Sequence, residues 1–136
     1  MKLLTFQAKR FRWQPHVKTL QDAADRDSNE GEAVETVVVF LEAEKHDQGN
    51  PSVMRQTVKH IKWLANKKQL KNVVLHSFTH LGGDAAPPQF ADAFITELGE
   101  RLENTGYAVA RTPFGYFCEW DISVYGDSLA KVWKQV

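Results

Sequence analysis

The feature that most constrains the fold is a buried strand that passes through a polar loop into a helix. The β-branched run Val73–Leu75 is typical of a strand covered on both faces, and the loop His76–Pro88 that follows contains two glycines and two prolines. Beyond it, apolar residues recur every four positions, at Phe90, Phe94, Leu98 and Leu102. This order predicts an α/β architecture, in which ligands bind beside loops at the carboxyl ends of strands.

Two further strands are predicted before this stretch. Lys2–Trp13 mixes apolar and basic residues, and its alternation breaks at Lys9–Arg10, which predicts a bulge. The continuous apolar centre of Glu35–Glu44 predicts a strand buried on both faces. Between them, the polar and acidic segment Gln14–Glu32 is expected to form a mobile connection with a turn of helix near Val17–Ala24.

The rest of the chain completes a mixed sheet. Asn50–Pro51 predicts the start of a helix, because Asn caps free N–H groups and Pro needs no donor at the first helical position. Tyr107–Arg111 and Tyr116–Tyr125 are predicted strands that pair antiparallel across Pro113–Gly115. Gly126–Ser128 is expected to cap a short final helix. The predicted order is β-β-α-β-α-β-β-α, a single α/β domain over residues 1–136.

Charge is informative only locally, since 17 basic and 17 acidic residues cancel over the 136 residues. From Gln48 to Gly83 there is no Asp or Glu but there are six Lys or Arg residues. Such a one-sided basic stretch suits a phosphate backbone, and a solvated helix face balanced by the acidic segment Gln21–Asp47 is the plain alternative. The basic residues assigned to a nucleic-acid face are Lys59, Lys62 and Lys67.

Several classes of function find no support in the sequence. No apolar run is long enough for a membrane span, the N-terminus does not resemble a signal peptide, and one cysteine forms no disulfide framework, so a cytoplasmic protein is expected. There is no P-loop, dinucleotide-binding or nucleophile-elbow motif, and no cofactor is expected. His76 and His80 have a metal-ligand spacing, but they run off a strand without a third ligand, so no metal is expected.

Two side chains remain candidates for chemistry in a pocket between His76–Pro88 and Thr112–Trp120, which we expect to face each other. His80 in the loop either orients a substrate hydroxyl or a water, or hydrogen-bonds only to the loop backbone. Cys118 lies on the apolar face of its strand, where a thiol is usually packing, although a Cys–His pair with His80 is conceivable.

Three blocks in order, Val37–Pro51, Val73–Pro88 and Thr112–Ser123, resemble the editing domain of archaeal threonyl-tRNA synthetase, which shares its fold with D-aminoacyl-tRNA deacylases. The resemblance implies removal of serine wrongly attached to threonine tRNA. The terminal adenosine would enter between the His80 loop and the strand at Phe114–Phe117, and a water would attack the ester with help from the 2′-hydroxyl of the RNA.

The site residues follow from this resemblance position by position. His80, Pro113, Phe114, Gly115 and Tyr116 match the family pattern, and Phe117, Cys118 and Lys131 replace a tyrosine, a lysine and a glutamate. A charge exchanged across one pocket between positions 118 and 131 is one hypothesis for the departures. The expected catalytic group is His80, Cys118 and Lys131; the expected substrate-binding residues are Phe78, Thr79, Asp84, Pro113, Phe114, Gly115, Tyr116 and Phe117.

The leading expectation is a free-standing deacylase, because the chain ends at Val136 without a synthetase body. It would act on the tRNA acceptor end, as a homodimer or beside a threonyl-tRNA synthetase in trans. One alternative is a non-catalytic module that binds adenosine or the acceptor end, with chemistry lost along with the family lysine. Another is a small hydrolase with Cys118 as nucleophile.

Overall fold

The computed structural model describes residues 1–23 and 30–136, which form one curled sheet with two helices packed on one of its faces. The strands in chain order are β1 (Lys2–Lys18), β2 (Gly31–Glu42), β3 (Asn72–Ser77), β4 (Ala108–Arg111), β5 (Tyr116–Val124) and β6 (Lys131–Gln135). The helices are α1 (Pro51–Asn66) between β2 and β3, and α2 (Pro88–Glu103) between β3 and β4.

The sheet has the strand order β4-β3-β2-β1-β5, and β6 also pairs with β1. Strands β2, β3 and β4 are parallel, whereas β1 is antiparallel to β2. One edge of the long strand β1 pairs with β2. The other edge pairs with two strands: β6 lies along Lys2–Phe6 and β5 lies along Ala8–Lys18. The register shifts between Ala8 and Arg10, as the predicted bulge requires.

The two faces of the sheet are buried in different ways. On one face α1 and α2 cover the alternate strand residues Val37, Val39 and Leu41. On the other face, aromatic residues cover one another because the sheet curls. The centroid of the Trp120 ring on β5 lies 4.7 Å from that of Phe40 on β2 and 5.2 Å from that of His76 on β3. These rings meet although β1 separates β5 from β2 and β3 in the strand order.

The local signals for helix ends are confirmed. The Asn50 side chain accepts a hydrogen bond from the Ser52 N–H at 3.2 Å, and Pro51 is the first residue of α1. Gly106 follows α2 with φ of +99°, a conformation that favours glycine. Within the described residues, no helix combines the length and apolar character that crossing a membrane requires.

Two predictions about the end of the chain are wrong. Residues Ser128–Ala130 form only a 3₁₀ turn, and the expected final helix is the strand β6, because the first half of β1 offers a free edge to it. The strands β4 and β5 do not pair with each other but lie at opposite ends of the strand order. The segment that joins them therefore has to cross the end of the curled sheet.

The connection predicted at Gln14–Glu32 is shorter than expected. Strand β1 continues to Lys18 and β2 begins at Gly31, because the second half of β1 forms ladders with both β2 and β5. The expected turn of helix is wrong at Val17 and Lys18, which lie in β1. Residues 19–23 form a turn, closed by the Ala23 N–H donating to the Leu20 carbonyl, and contain no helix, and residues 24–29 lie outside the described residues.

Candidate active site

A cavity of about 640 Å³ opens at the carboxyl end of β3. Its wall contains residues from both stretches that the sequence analysis expected to face each other, among them Phe78 and His80 on one side and Phe114 and Tyr116 on the other. The first turn of α2 and the segment after β1 complete the wall, through Pro88, Ala91, Thr19 and Leu20. The position fits the general rule for ligands in α/β folds.

The segment Thr112–Gly115 bridges the cavity because β4 and β5 lie at opposite ends of the sheet. Its first residue is held by β3, since the Thr112 N–H donates to the Leu75 carbonyl at 3.1 Å. Its last residue is held by the end of β1, since the Thr19 N–H donates to the Gly115 carbonyl at 2.7 Å. Gly115 has φ of +82°, and a Cβ there would lie 2.8 Å from the Cβ of Ala23, so only glycine fits without strain.

The opposite loop, residues 78–88, is anchored to the end of β2. The Glu42 carboxylate accepts a hydrogen bond from the Gly83 N–H at 2.7 Å, and the Phe78 and Ala86 N–H groups donate to the Leu41 and Ala43 carbonyls. Asp84 belongs to this anchor and not to the cavity wall, because its carboxylate lies 3.2 Å from the Lys45 ammonium. The structure therefore does not support Asp84 as a substrate-binding residue.

His76 belongs to the stretch expected at the pocket and forms its floor, but it was not among the predicted site residues. Its ring is buried, and Nδ1 lies 2.7 Å from the Thr112 hydroxyl oxygen. Burial lowers the pKa of His76 to about 4, so the imidazole is neutral near pH 7. The sequence contained a signal for this position of His76. In a strand, Val74, His76 and Phe78 point to the same face of the sheet, and this is the face on which the cavity opens.

His80 and Thr79 lie on the exposed rim of the cavity. The His80 ring packs edge-to-face against Phe78, with centroids 5.2 Å apart, so an aromatic contact restrains its orientation. Most of the residues predicted to bind substrate line the same cavity, with Phe117 exposed at its edge: Phe78, Pro113, Phe114, Gly115, Tyr116 and Phe117.

Cys118 lines the cavity and is half-buried. Burial raises the pKa of its thiol to about 11. Since the thiolate is the nucleophilic form, this environment disfavours covalent catalysis by Cys118.

Lys131 is not in the cavity. It is an exposed residue of β6 that pairs with Phe6, whereas Cys118 pairs with Pro15, nine residues further along β1. At about 3.3 Å per residue this separation is about 30 Å along the strand. The hypothesis of a charge exchanged between the two positions across one pocket is therefore wrong, and so is the placement of Lys131 in the catalytic group.

The described part of the cavity wall is poor in charged side chains. Among the described residues that line it there is no Asp, Glu, Lys or Arg. Its polar groups are hydroxyls, the Cys118 thiol, two imidazoles and backbone atoms, and the rest is aromatic or aliphatic. Such a wall suits a planar base and a neutral ester, and it supplies no carboxylate or ammonium as an acid or base.

Carboxylates do cluster elsewhere, at the start of β1. Glu44, His46 and Asp47 could hold a cation, but the Met1 ammonium already lies 2.8 Å from both a Glu44 and an Asp47 oxygen. Burial would raise the pKa of Glu44, but hydrogen bonds from Lys2, the ammonium and Gln135 outweigh it and lower the pKa to about 2. The cluster is a structural ion-pair network that fastens β1 to the end of β2.

A second, basic groove of about 320 Å³ lies between the outer faces of the helices. Its lining residues include Lys59 and Lys62, which were predicted from the sequence, together with Arg55 and Arg101, which were missed. Arg101 comes from α2, so only the packing of the two helices could reveal it. Lys67 lies outside this groove at the end of α1, with its ammonium 5.8 Å from the centroid of the Trp63 ring.

Comparison with known proteins gives consistent results. A family model described as the archaea-specific editing domain of threonyl-tRNA synthetase matches residues 1–136. The threonine–tRNA ligases of Methanococcus aeolicus and Thermofilum pendens are 30% and 28% identical to the chain over 137 residues, which is 100% of the chain in each case. The chain spans 22% of the length of these curated relatives.

A solved structure, the c-Myc DNA unwinding element binding protein, superposes with a TM-score of 0.71 at 14% identity and covers 100% of this chain and 99% of its own. At this identity the likeness concerns the fold. The α/β class and the architecture expected from the resemblance to D-aminoacyl-tRNA deacylases are confirmed.

Proposed function

Because the chain belongs to the family of archaea-specific editing domains of threonyl-tRNA synthetase, we propose that it is a deacylase that hydrolyses the ester of mischarged aminoacyl-tRNA. The substrate proposed first is seryl-tRNA for threonine. The observation that carries the proposal is the cavity at the end of β3, because the described part of its wall is largely aromatic and aliphatic and has no Asp, Glu, Lys or Arg, which suits an aminoacyl-adenosine. Phe114, Tyr116 and Phe117 would line the adenosine, and backbone groups of the two loops would hold its polar edges.

The proposed chemistry relies on the RNA. With no carboxylate or ammonium among the described lining residues, the wall offers His80 as the group that orients the attacking water or the ribose. The vicinal 2′-hydroxyl of the terminal ribose would supply the remaining assistance. Cys118 would contribute shape, since its thiol stays protonated.

The tRNA body would reach beyond the cavity to the basic groove. Arg55, Lys59 and Lys62 would present cationic groups there that suit backbone phosphates, whereas the Arg101 guanidinium is already paired with the Glu97 carboxylate at 2.7 Å. Lys67 is proposed as a weaker contact at most, because it lies outside the groove.

Several wider properties are proposed together with the activity. The protein would work in the cytoplasm on the acceptor end of tRNA, alone or with a threonyl-tRNA synthetase in trans.

A homodimer is proposed because the sheet face opposite the helices leaves Ile122 38% and Trp133 55% exposed. Analytical ultracentrifugation tests this association, and a monomer at micromolar concentration would contradict it.

The decisive experiment is hydrolysis of a panel of charged tRNAs, with seryl- and threonyl-tRNA for threonine compared first. Rapid release of serine with threonine spared is the expected result. A matched seryl-tRNA whose terminal ribose lacks the 2′-hydroxyl should be hydrolysed at least a hundredfold more slowly if the RNA assists, since general acid–base assistance contributes about 10²–10⁴-fold. Equal rates for both substrates would contradict the RNA-assisted mechanism.

One observation favours a second function, a non-catalytic module that binds the acceptor end. The position where the family carries a lysine holds Cys118, and nothing charged replaces that lysine among the described wall residues. Tight binding of an uncharged acceptor-stem RNA without hydrolysis of any charged tRNA would support this module over the deacylase.

A further inference from the structure

One polar atom in the cavity floor is unaccounted for, the Nε2 of His76. The other ring nitrogen, Nδ1, is held by Thr112 at 2.7 Å, and in the part of the chain that the structure describes Nε2 has no hydrogen-bond partner. His76 as a whole is only 4% exposed. Among the described residues, however, the side-chain polar atom that is both fully buried and without a hydrogen-bond partner is Nε1 of Trp13, and Nε2 of His76 is not in that class. Nε2 of His76 is therefore in contact with the cavity, and it can bond to whatever occupies it.

The partner at Nδ1 determines which nitrogen carries the proton. Burial lowers the pKa of His76 to about 4, so the ring has a single N–H. The Thr112 hydroxyl is itself buried, and Nδ1 of His76 is its hydrogen-bond partner among the described residues. If Nδ1 carried the proton, the hydroxyl hydrogen would be left unpaired. Since buried donors are rarely left unpaired, the hydroxyl donates to Nδ1, and the proton lies on Nε2.

The surroundings of this N–H select the kind of acceptor. The His76 ring lies among the rings of Phe40, Phe78 and Trp120, with centroids 5.1, 6.2 and 5.2 Å away. These neighbours are flat and offer no competing acceptor. A planar heterocycle with an unprotonated ring nitrogen matches both the shape and the single donor.

We propose that His76, oriented by Thr112, recognises the terminal base of the RNA by donating a hydrogen bond from Nε2 to a ring nitrogen of the adenine. This assignment rests on the proposed function and names the contact that distinguishes the base. His76 is then a binding residue, and Thr112 is a positioning residue that acts through it. Water would satisfy the N–H before the RNA binds, so the contact contributes to specificity, because a ligand without the acceptor leaves the donor unpaired.

The test uses the full chain and short RNAs that end in CCA. Affinity is measured for the natural RNA and for three matched RNAs whose last base is 1-deaza-, 3-deaza- or 7-deazaadenine, so that each lacks one ring nitrogen. We expect one of the three to bind the wild-type protein about tenfold more weakly, the size of one buried hydrogen bond, and the other two to bind almost normally.

The variant His76→Phe keeps a planar ring and removes the donor. It should bind the natural RNA about tenfold more weakly and should no longer distinguish the sensitive deaza RNA from it. His76→Gln retains an N–H near the position of Nε2 and should recover part of the discrimination. A merely structural role for His76 would weaken all four RNAs equally in both variants, and that result would overturn the proposal.

The tautomer is tested without any ligand. Nitrogen-15 NMR of the labelled wild-type protein at pH 7 should show a protonated Nε2 and an unprotonated Nδ1 for His76. Thr112→Val, which is nearly isosteric, should release this tautomer and reduce the discrimination between RNAs. A proton on Nδ1 in the wild-type protein would overturn the proposal.

Hydrolysis of seryl-tRNA, measured in parallel, separates the role of His76 from the deacylase activity. Wild-type hydrolysis combined with equal affinity for all four RNAs would overturn the role of His76 and leave the deacylase intact. Neither binding nor hydrolysis by the wild-type protein would overturn both.

Discussion

At the scale of single residues, burial sets the chemistry of the cavity more than residue type does. His76 and Cys118 are residue types that often act as bases or nucleophiles, but burial lowers the pKa of the first to about 4 and raises that of the second to about 11. Both are therefore neutral at pH 7. In the proposed function, the exposed His80 on the rim is therefore the side chain assigned to the reacting ester.

The shifted pKa of His76 predicts a pH dependence of stability. The unfolded chain binds this proton below about pH 6.5, whereas the folded chain binds it only below about pH 4, so the free energy of unfolding should fall as the pH drops between these values. The loss attributable to His76 is about 3 kcal/mol. Urea unfolding at a series of pH values measures it.

His76→Phe is the control for this pH dependence. The variant should lose most of the slope between pH 6.5 and 4 and keep a smaller part from His60, whose pKa is also lowered by burial. An unchanged slope in His76→Phe would show that other groups cause the dependence.

The raised pKa of Cys118 predicts an inert thiol. Iodoacetamide at pH 8 should alkylate Cys118 in the folded protein at least tenfold more slowly than in the urea-unfolded chain, because the thiolate is scarce at a pKa of about 11. Cys118→Ala should hydrolyse seryl-tRNA within about twofold of the wild-type rate, as expected of a wall residue without a chemical role. A hundredfold loss would instead support the cysteine hydrolase.

At the scale of elements, the cavity depends on two connections that return to the sheet. One is the segment Thr112–Gly115, held between β3 and the end of β1. The other is the loop after β3, held by Glu42 through the Gly83 N–H. Neither connection has regular secondary structure, so each is positioned by a few hydrogen bonds and by glycines that allow close approach.

Gly83→Ala tests the second connection. A Cβ at this position would collide with a Glu42 carboxylate oxygen and lie 2.9 Å from one of Glu44, so either the loop or the anchoring carboxylates have to move apart. We expect a loss of about 1–3 kcal/mol in the free energy of unfolding and weaker binding of acceptor-stem RNA.

Gly126→Ala is the matched control, because a Cβ there meets no atom within 4 Å and the position has no positive φ. It should change stability by less than about 0.5 kcal/mol. Equal effects of the two substitutions would show that the contact between Gly83 and Glu42 does not position the loop.

At the scale of the whole molecule, the neutral total charge conceals a separation of surfaces. The cavity, whose described lining has no Asp, Glu, Lys or Arg, shares no lining residue with the basic groove between α1 and α2. In the proposed function the two surfaces would receive the two parts of a tRNA acceptor arm, an aminoacylated terminal nucleotide and a phosphate backbone. The proposed tRNA complex therefore has a salt-independent part and a salt-dependent part.

The double variant Lys59→Gln/Lys62→Gln tests the salt-dependent part. For each phosphate that the variant no longer neutralises, the slope of log affinity against log salt should fall by about 0.9 for duplex RNA, by analogy with duplex DNA, so a decrease between about 1 and 2 is expected. Filter binding of acceptor-stem RNA between about 50 and 200 mM salt measures this slope.

Lys67→Gln is the control, since Lys67 lies outside the groove. The slope of log affinity against log salt for this variant should stay closer to the wild-type value. An unchanged slope in the double variant would remove the groove from the RNA-binding surface. The hydrolysis of a minimal aminoacyl-nucleotide should be unaffected by either variant.

The sequence by itself determined the elements that depend on local chemistry. The buried strands, the cap at Asn50, the left-handed Gly106 and the two stretches that form the cavity all follow from patterns of neighbouring residues. Pairing between distant strands is what only the tertiary structure decided. The residues of the expected last helix form β6, because they pair with the first half of β1, and this pairing places Lys131 far from Cys118. Strand β5 pairs with the second half of β1, which leaves β4 and β5 at opposite ends of the strand order. The pairing of β3 with β4 placed Thr112 beside His76, and the curl of the sheet placed Trp120 beside the same ring. Hydrogen bonds and burial between residues far apart in the chain thus outweigh local propensity.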